Sequence, residues 1–222
     1  MVAFALCPDG IKMSARSAPP GHLKLITPPV ELTTSRLHLR AARSEHAASV
    51  FTEYTGNNMA ARFLPRGAHP AQSSTEAVIH AWGESSWADG DRFIWSIIDR
   101  SDQRPMGLFL MFVDGDGAEI HYGIGPAYWG RGLATEAGLA IMHWVKQQSP
   151  LSEVHTICAA AHETSCRVLE KIGLVRGQFL PDALFEGHRG KDRRLVISLE
   201  TLRVRAKAAP TCRRSSRRAH LA

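Results

Sequence analysis

Apolar and polar residues alternate from Leu37, where Leu37 and Leu39 interleave with Arg36, His38 and Arg40. A period of two is that of a strand with one buried face. Ser44, next to Glu45, then reads as the cap of a helix running to about Gly56. Between Asn57 and Pro70 the pattern lapses, and Pro65, Gly67 and Pro70 oppose helix, so a loop that borders a site is expected. A second helix is expected over residues 71–88, followed by a strand at 93–98, where bulky and β-branched side chains predominate. Residues 106–113 and 118–124 complete an antiparallel meander, because Asp114-Gly115-Asp116-Gly117 between them is a hairpin signal.

After the meander the periodicity changes to strand, helix, strand, helix, strand, at 118–124, 133–147, 154–160, 165–172 and 174–179, with a closing strand at 194–199. The first step of that series implies a parallel crossover. The expected fold is a mixed α/β domain whose sheet has six or seven strands with flanking helices, spanning residues 31–202.

Charge alters only the ends of this picture. The 222 residues carry 27 basic and 21 acidic side chains, a net +6. Residues 203–222 alone carry +7, with Arg203, Arg205, Lys207, Arg213, Arg214, Arg217 and Arg218 and no carboxylate, so the rest of the chain is close to neutral. Such a tail reads as a solvated, disordered extension, with contact to RNA or the ribosome as its functional alternative. Residues 1–30 read as a flexible leader within which Met13 is an alternative start. The four cysteines, Cys7, Cys158, Cys166 and Cys212, show neither C-x-x-C pairing nor zinc-type spacing, so no metal is expected and a reduced, cytoplasmic setting is the simplest reading. No apolar run approaches the length of a membrane helix.

The candidate chemistry lies in Gly130-Arg131-Gly132-Leu133-Ala134-Thr135, between a predicted strand and a helix whose apolar positions Leu133, Ala137, Ile141, Trp144 and Val145 follow helical spacing. A helix N-terminus gathers unpaired N–H groups and the positive end of the helix dipole, which suits a pyrophosphate. Gly130 and Gly132 allow close approach, Thr135 offers a hydroxyl and Arg131 a charge. The dinucleotide fingerprint needs glycine where Thr135 stands, and a Walker A loop needs Gly-Lys-Ser/Thr, so both are excluded.

Three segments in order resemble the GNAT acetyltransferases, and within them the RimJ/RimL branch that acetylates ribosomal-protein N-termini. Leu32-Thr33-Thr34-Ser35-Arg36-Leu37-His38-Leu39-Arg40 is similar to that branch's opening L-x-T-x-R-L-x-L-R. Ala118-Glu119-Ile120-His121-Tyr122 with Tyr128-Trp129-Gly130-Arg131-Gly132-Leu133-Ala134-Thr135-Glu136-Ala137 is similar to its A-E-I-G-Y…Y-W-G-K/R-G-x-A-T-E-A. Ser165-Cys166-Arg167-Val168-Leu169-Glu170-Lys171-Ile172-Gly173-Leu174 resembles S-x-R-V-L-E-K-L-G-F. The resemblance implies a three-layer fold with a strongly twisted sheet, two central parallel strands splayed apart, and acetyl-CoA lying in the cleft as co-substrate. It implies that the backbone from Gly130 to Thr135, flanked by Trp129, cradles the pyrophosphate and that the ends of strands 118–124 and 154–160 flank the pantetheine arm.

Direct transfer in this family needs a base for the amine proton and an acid for the leaving thiolate. Glu119 is the first candidate base. His121, on the same strand face by the two-residue period, orients the amine or relays a proton, although relatives commonly carry glycine there. His188, with Glu186 and Asp192, lies in the segment where relatives contact substrate. Ser165 occupies the place of the family's serine acid, and the position at which other members carry a tyrosine acid is Leu169. His162 stands where relatives have an asparagine that binds the cofactor. Cys166 packs as a small apolar residue. The acceptor is a protein N-terminus or a small-molecule amine, and the chain is a monomer or homodimer. The alternatives are a non-catalytic CoA-binding module and a nucleic-acid binder working through the arginine tail.

Overall fold

Period-two burial is what the computed structural model shows first: in strand β2 (Leu37–Ala41) Leu37 and Leu39 are fully buried, whereas His38 is half-buried and Arg40 exposed. The structure describes residues 26–64, 67–89, 91–159, 161–180 and 192–198. Among the described residues eight strands form one sheet in the order β1-β2-β3-β4-β5-β6-β8-β7. These are β1 (Glu31–Thr33), β2, β3 (Arg92–Asp99), β4 (Pro105–Asp114), β5 (Gly117–Ile124), β6 (Glu153–Ala159), β7 (Val175–Leu180) and β8 (Asp192–Ser198). Seven match the strands expected from sequence; the eighth, β1, is a three-residue edge strand too short to show a period. Ile26 is buried and the Pro29 carbonyl accepts a hydrogen bond from Trp95 Nε1 at 2.9 Å, so packed chain extends into the span read as leader.

The meander is antiparallel from β1 through β5, whereas β5 and β6 run parallel, joined by helix α4 (Leu133–Gln148). A crossover of this kind needs a helix because parallel neighbours cannot be closed by a tight turn. Helix α4 forms where Leu133, Ala137, Ile141 and Val145 recur on one face, and that stripe is buried against the sheet with α5 (Glu163–Lys171) beside it. Each such Leu or Ile contributes about 1.5–3 kcal/mol through burial.

The opposite face is covered by a helical stretch of changing pitch and by α3 (Gln72–Trp82). That stretch runs from a 3₁₀ turn (Ser44–His46) through α1 (Ala47–Val50) into a π turn (Phe51–Thr55). Its cap is Arg43 rather than Ser44: Arg43 is extended, and its N–H donates to His46 Nδ1 at 3.3 Å. The second helix ends at Trp82, six residues before its expected end, and Gly83 leads into a 3₁₀ turn (Glu84–Asp89). The expected loop at 57–70 contains one short helix, α2 (Asn58–Ala61), capped by the Asn57 side chain, which accepts from the N–H groups of Met59 and Ala60.

Candidate functional site

The parallel pairing of β5 with β6 covers only three registers, Gly117 with Glu153, Ala118 with Val154 and Glu119 with His155. Beyond them β5 continues to Ile124 and β6 to Ala159 without pairing to each other, so the strands part toward their C-terminal ends. Splaying leaves the sheet open at its centre, and a cavity of about 400 Å³ lies there.

The cavity reaches both faces of the sheet. Ile124 and Tyr122 point to the face carrying α4 and α5, where Leu133, Ser165 and Val168 also line it. Gly123 points to the opposite face, where the wall is Tyr54 from the π turn with Ala60 and Arg62. A Cβ built on Gly123 would stand 2.2 Å from the Tyr54 ring, so glycine is required for the tyrosine to lie across the strand. Gly123→Ala is therefore expected to cost about 1–3 kcal/mol of overpacking and to lower turnover by displacing Tyr54. Urea unfolding read beside kcat checks both effects.

At the mouth, Gly130 and Gly132 adopt left-handed φ of +74° and +76°, a region closed to most side chains. Nothing lies within 4 Å of a Cβ on Gly130, so the loop's outer surface is open. Gly132 is the N-cap of α4 and brings no side chain to it; the first intrahelical bond is donated by the Glu136 N–H to the Gly132 carbonyl at 3.0 Å. The N–H groups of Leu133, Ala134 and Thr135 precede that bond and belong to the unpaired first turn. Trp129, Gly130, Gly132, Leu133, Ala134 and Thr135 all line the cavity. Trp129 is 42% exposed and is held by an Nε1 hydrogen bond to the Ile124 carbonyl. The Arg131 side chain turns elsewhere, 3.8 Å from the Asp99 carboxylate and over the Tyr128 ring.

Ser165, in the first turn of α5, is 4% exposed and lines the cavity. Its Oγ is 2.9 Å from the Tyr122 hydroxyl, which also lies 3.2 Å from the Ser165 carbonyl. Burial pushes the Tyr122 phenol well above its ordinary value, although the Ser165 hydrogen bond opposes this, so the group stays protonated and able to donate. The sequence reading passed over Tyr122; its signal was the inward register it shares with Ile120 and Ile124 on a strand bounding the cleft. Tyr54 had no comparable signal, because its aim depends on the π turn.

Glu119 and His121 share the face that carries Tyr54, and His121 Nε2 is 3.3 Å from Glu119 Oε1. Neither is among the described residues lining the cavity. At about 3.4 Å per residue along a strand, Glu119 lies about 14 Å from Gly123 and His121 about half that. His162 lines the cavity, and its ring stacks on Phe63 at 4.2 Å, closing one side. Burial lowers its imidazole to about 4, aided by the Arg62 cation, so it is neutral at pH 7. Cys166 packs with its sulfur 3.7 Å from that of Cys158, both buried, and its hydrogen bond to Cys158, with burial, pushes its thiol up. Glu186 and His188 lie outside the described residues, as does the Asp192 side chain. Among the described residues no group of three or more His, Cys, Asp or Glu is placed to hold a metal ion, and no helix is long and apolar enough to cross a membrane.

Residues 36–175 match the family model of the acetyltransferase (GNAT) domain. The chain is 24% identical over 173 residues to the uncharacterized N-acetyltransferase YnaD of Bacillus subtilis, covering 77% of this chain and 98% of that protein. Its fold matches the ribosomal-protein-S5-alanine acetyltransferase of Vibrio fischeri with a TM-score of 0.68 at 14% identity, over 78% of this chain and 98% of the other. It also matches RimL, the ribosomal L7/L12 alpha-N-protein acetyltransferase in complex with coenzyme A, with a TM-score of 0.66 at 16% identity, over 77% and 96%. With its cleft between parting parallel strands and its glycine-capped loop, the chain belongs to the GNAT family of acetyl-CoA-dependent N-acetyltransferases.

Proposed function

We propose that this enzyme acetylates a primary amine by direct attack on acetyl-CoA, with donor and acceptor entering the parted sheet from opposite faces, and that the acceptor is a protein N-terminus, as in the RimJ/RimL branch. The observation that carries the direct-attack reading is the continuity of the cavity through the sheet, from the open loop on one side to Tyr54 and Ala60 on the other. The residues present fit the donor: an uncapped helix start, two left-handed glycines and the gap between β5 and β6 are what a diphosphate followed by a narrow arm requires.

In this reading the N–H groups of residues 132–135 bind the pyrophosphate. The amine nitrogen forms a bond to the thioester carbon, the carbon–sulfur bond breaks, and the thiolate takes a proton from the Ser165–Tyr122 pair. The amine proton passes by way of water to His121, which lies behind the cavity lining, with Glu119 3.3 Å from it to stabilise the imidazolium. His121, the nearer of the two to Gly123, is thereby the first to receive the proton. His162 donates one hydrogen bond from the cavity wall.

Described carboxylates are absent from the cavity lining, whereas Arg62, Arg167 and Lys171 are part of it. That charge favours an amine on a neutral or acidic scaffold over a small polycation. Free-thiol release from acetyl-CoA, measured with acidic and basic N-terminal peptides and with polyamines, tests the reading. Acidic or neutral N-terminal peptides are expected to give the highest kcat/KM. Preference for spermidine-like amines refutes the acceptor class, and absence of release with every amine refutes transfer.

A further inference from the structure

Three segments meet beside the glycine loop in a way that neither the cavity nor the transfer step uses. The Glu136 carboxylate, in the first turn of α4, receives the turn between β1 and β2. Its Oε1 accepts from Thr34 Oγ1 at 2.5 Å, Ser35 Oγ at 3.1 Å and the Arg36 N–H at 3.0 Å. Its Oε2 accepts from Arg36 Nε at 2.7 Å and lies 2.6 Å from a terminal nitrogen of the same guanidinium. Burial opposes ionisation of Glu136, but these donors outweigh it and hold the carboxyl below its ordinary value. The remaining arm of Arg36 donates to the carbonyl of Arg131 at 2.9 Å.

That last bond acts directly on the loop. In a trans peptide the C=O and the following N–H point in opposite directions. Fixing the Arg131 carbonyl toward Arg36 therefore aims the Gly132 N–H away from Arg36, and Gly132 is a wall of the cavity whereas Arg131 is not. The Arg131 side chain is tethered on the same side by Asp99, which is itself held by the Ser101 N–H and hydroxyl.

We propose that Arg36 and Glu136 form a positioning clamp that presets the phosphate-binding backbone of residues 130–135 before acetyl-CoA arrives. The proposal rests on the reading of that loop as the pyrophosphate site. Glu136 supplies the anchor and Arg36 the lever, and Arg36 also cancels a carboxylate that would otherwise stand beside the incoming phosphates. The roles are therefore unequal. Removing Arg36 leaves both an unfixed carbonyl and an uncompensated negative charge, whereas removing Glu136 leaves a mobile but cationic lever.

The test compares acetyl-CoA with S-acetylpantetheine, which has the same thioester and arm but no pyrophosphate. Arg36→Ala is expected to raise the KM for acetyl-CoA about 30- to 100-fold, and Glu136→Ala about 10-fold, with kcat within about threefold. Arg36→Ala/Glu136→Ala should bind acetyl-CoA better than Arg36→Ala alone, because the stray charge is gone, and Arg36→Lys should restore part of the loss. Turnover of S-acetylpantetheine should be unchanged in every variant. Equal losses with both donors, or no loss with acetyl-CoA, overturn the clamp. If the alanine variants do not fold, Arg36→Lys and Glu136→Gln carry the same comparison. Failure of the underlying reading has a different signature: Ala134→Asp, within the loop's helix start, would then keep the wild-type preference for acetyl-CoA over S-acetylpantetheine.

Discussion

Ser165→Ala is expected to lower kcat roughly a hundredfold while leaving the KM for acetyl-CoA within about threefold, because a positioned proton donor is worth about 10²–10⁴ in rate and contributes little to ground-state binding. In the proposed mechanism a serine suffices as the acid. Its hydroxyl is desolvated at 4% exposure and 2.9 Å from a protonated phenol. When Tyr122 donates to the serine oxygen, the serine O–H is released to point at the sulfur on which charge develops, and low local dielectric strengthens that contact. Tyr122→Phe keeps the ring stacked on Phe109 within the core but removes the relay, so a loss of about tenfold is expected. A burst experiment that follows the first turnover, with acceptor saturating, isolates the chemical step. A larger loss in Tyr122→Phe than in Ser165→Ala would transfer the role of acid to the tyrosine, and unchanged kcat in both would remove the pair from the mechanism.

What the sequence shows and what it hides separate along a physical line. Strands that bury one face, such as β2, or run apolar through both faces, such as β3, print their period in the chain, and so does the stripe of α4. The glycine loop was readable through the family resemblance it shares with its two partner motifs, and both of its glycines proved to be left-handed. Ser165 was found by resemblance and then proved to line the cavity. The reverse holds for contacts made across long loops. Glu136 meets Arg36 a hundred residues away, and no local pattern tells an anchoring glutamate from a solvated one. Tyr54 reaches Gly123 only because the helix widens to a π turn, which no residue in Phe51–Thr55 announces. Ser44 was a sound cap by type, yet the chain begins its turn one residue earlier, where the His46 ring serves the Arg43 N–H and Ser96 together. Glu119 was chosen by type and by its place beside the splayed strands; distance along β5 moves the proposed role of first proton acceptor to His121.

The sharpest separation of stability from function is expected at Ala134. A carboxylate in the first turn of a helix interacts favourably with the dipole, by about 0.3–1 kcal/mol, and can accept from the unpaired N–H groups. Ala134→Asp places one there, at a partly buried position on the cavity wall where the N-cap, Gly132, supplies no side chain. The folded protein should lose nothing in its urea midpoint and gain a little. The same charge competes for the donors proposed to hold the pyrophosphate and repels it: two unit charges at 5 Å interact by about 3 kcal/mol at an effective dielectric of 20, before salt screening. Acetyl-CoA affinity should therefore fall at least about a hundredfold, and part of it should return as salt rises, whereas the neutral Ala134→Asn should lose far less. Isothermal titration with CoA at two ionic strengths, beside urea unfolding, reads both quantities. Tight CoA binding by a stable Ala134→Asp protein would mean that the diphosphate lies somewhere other than the start of α4.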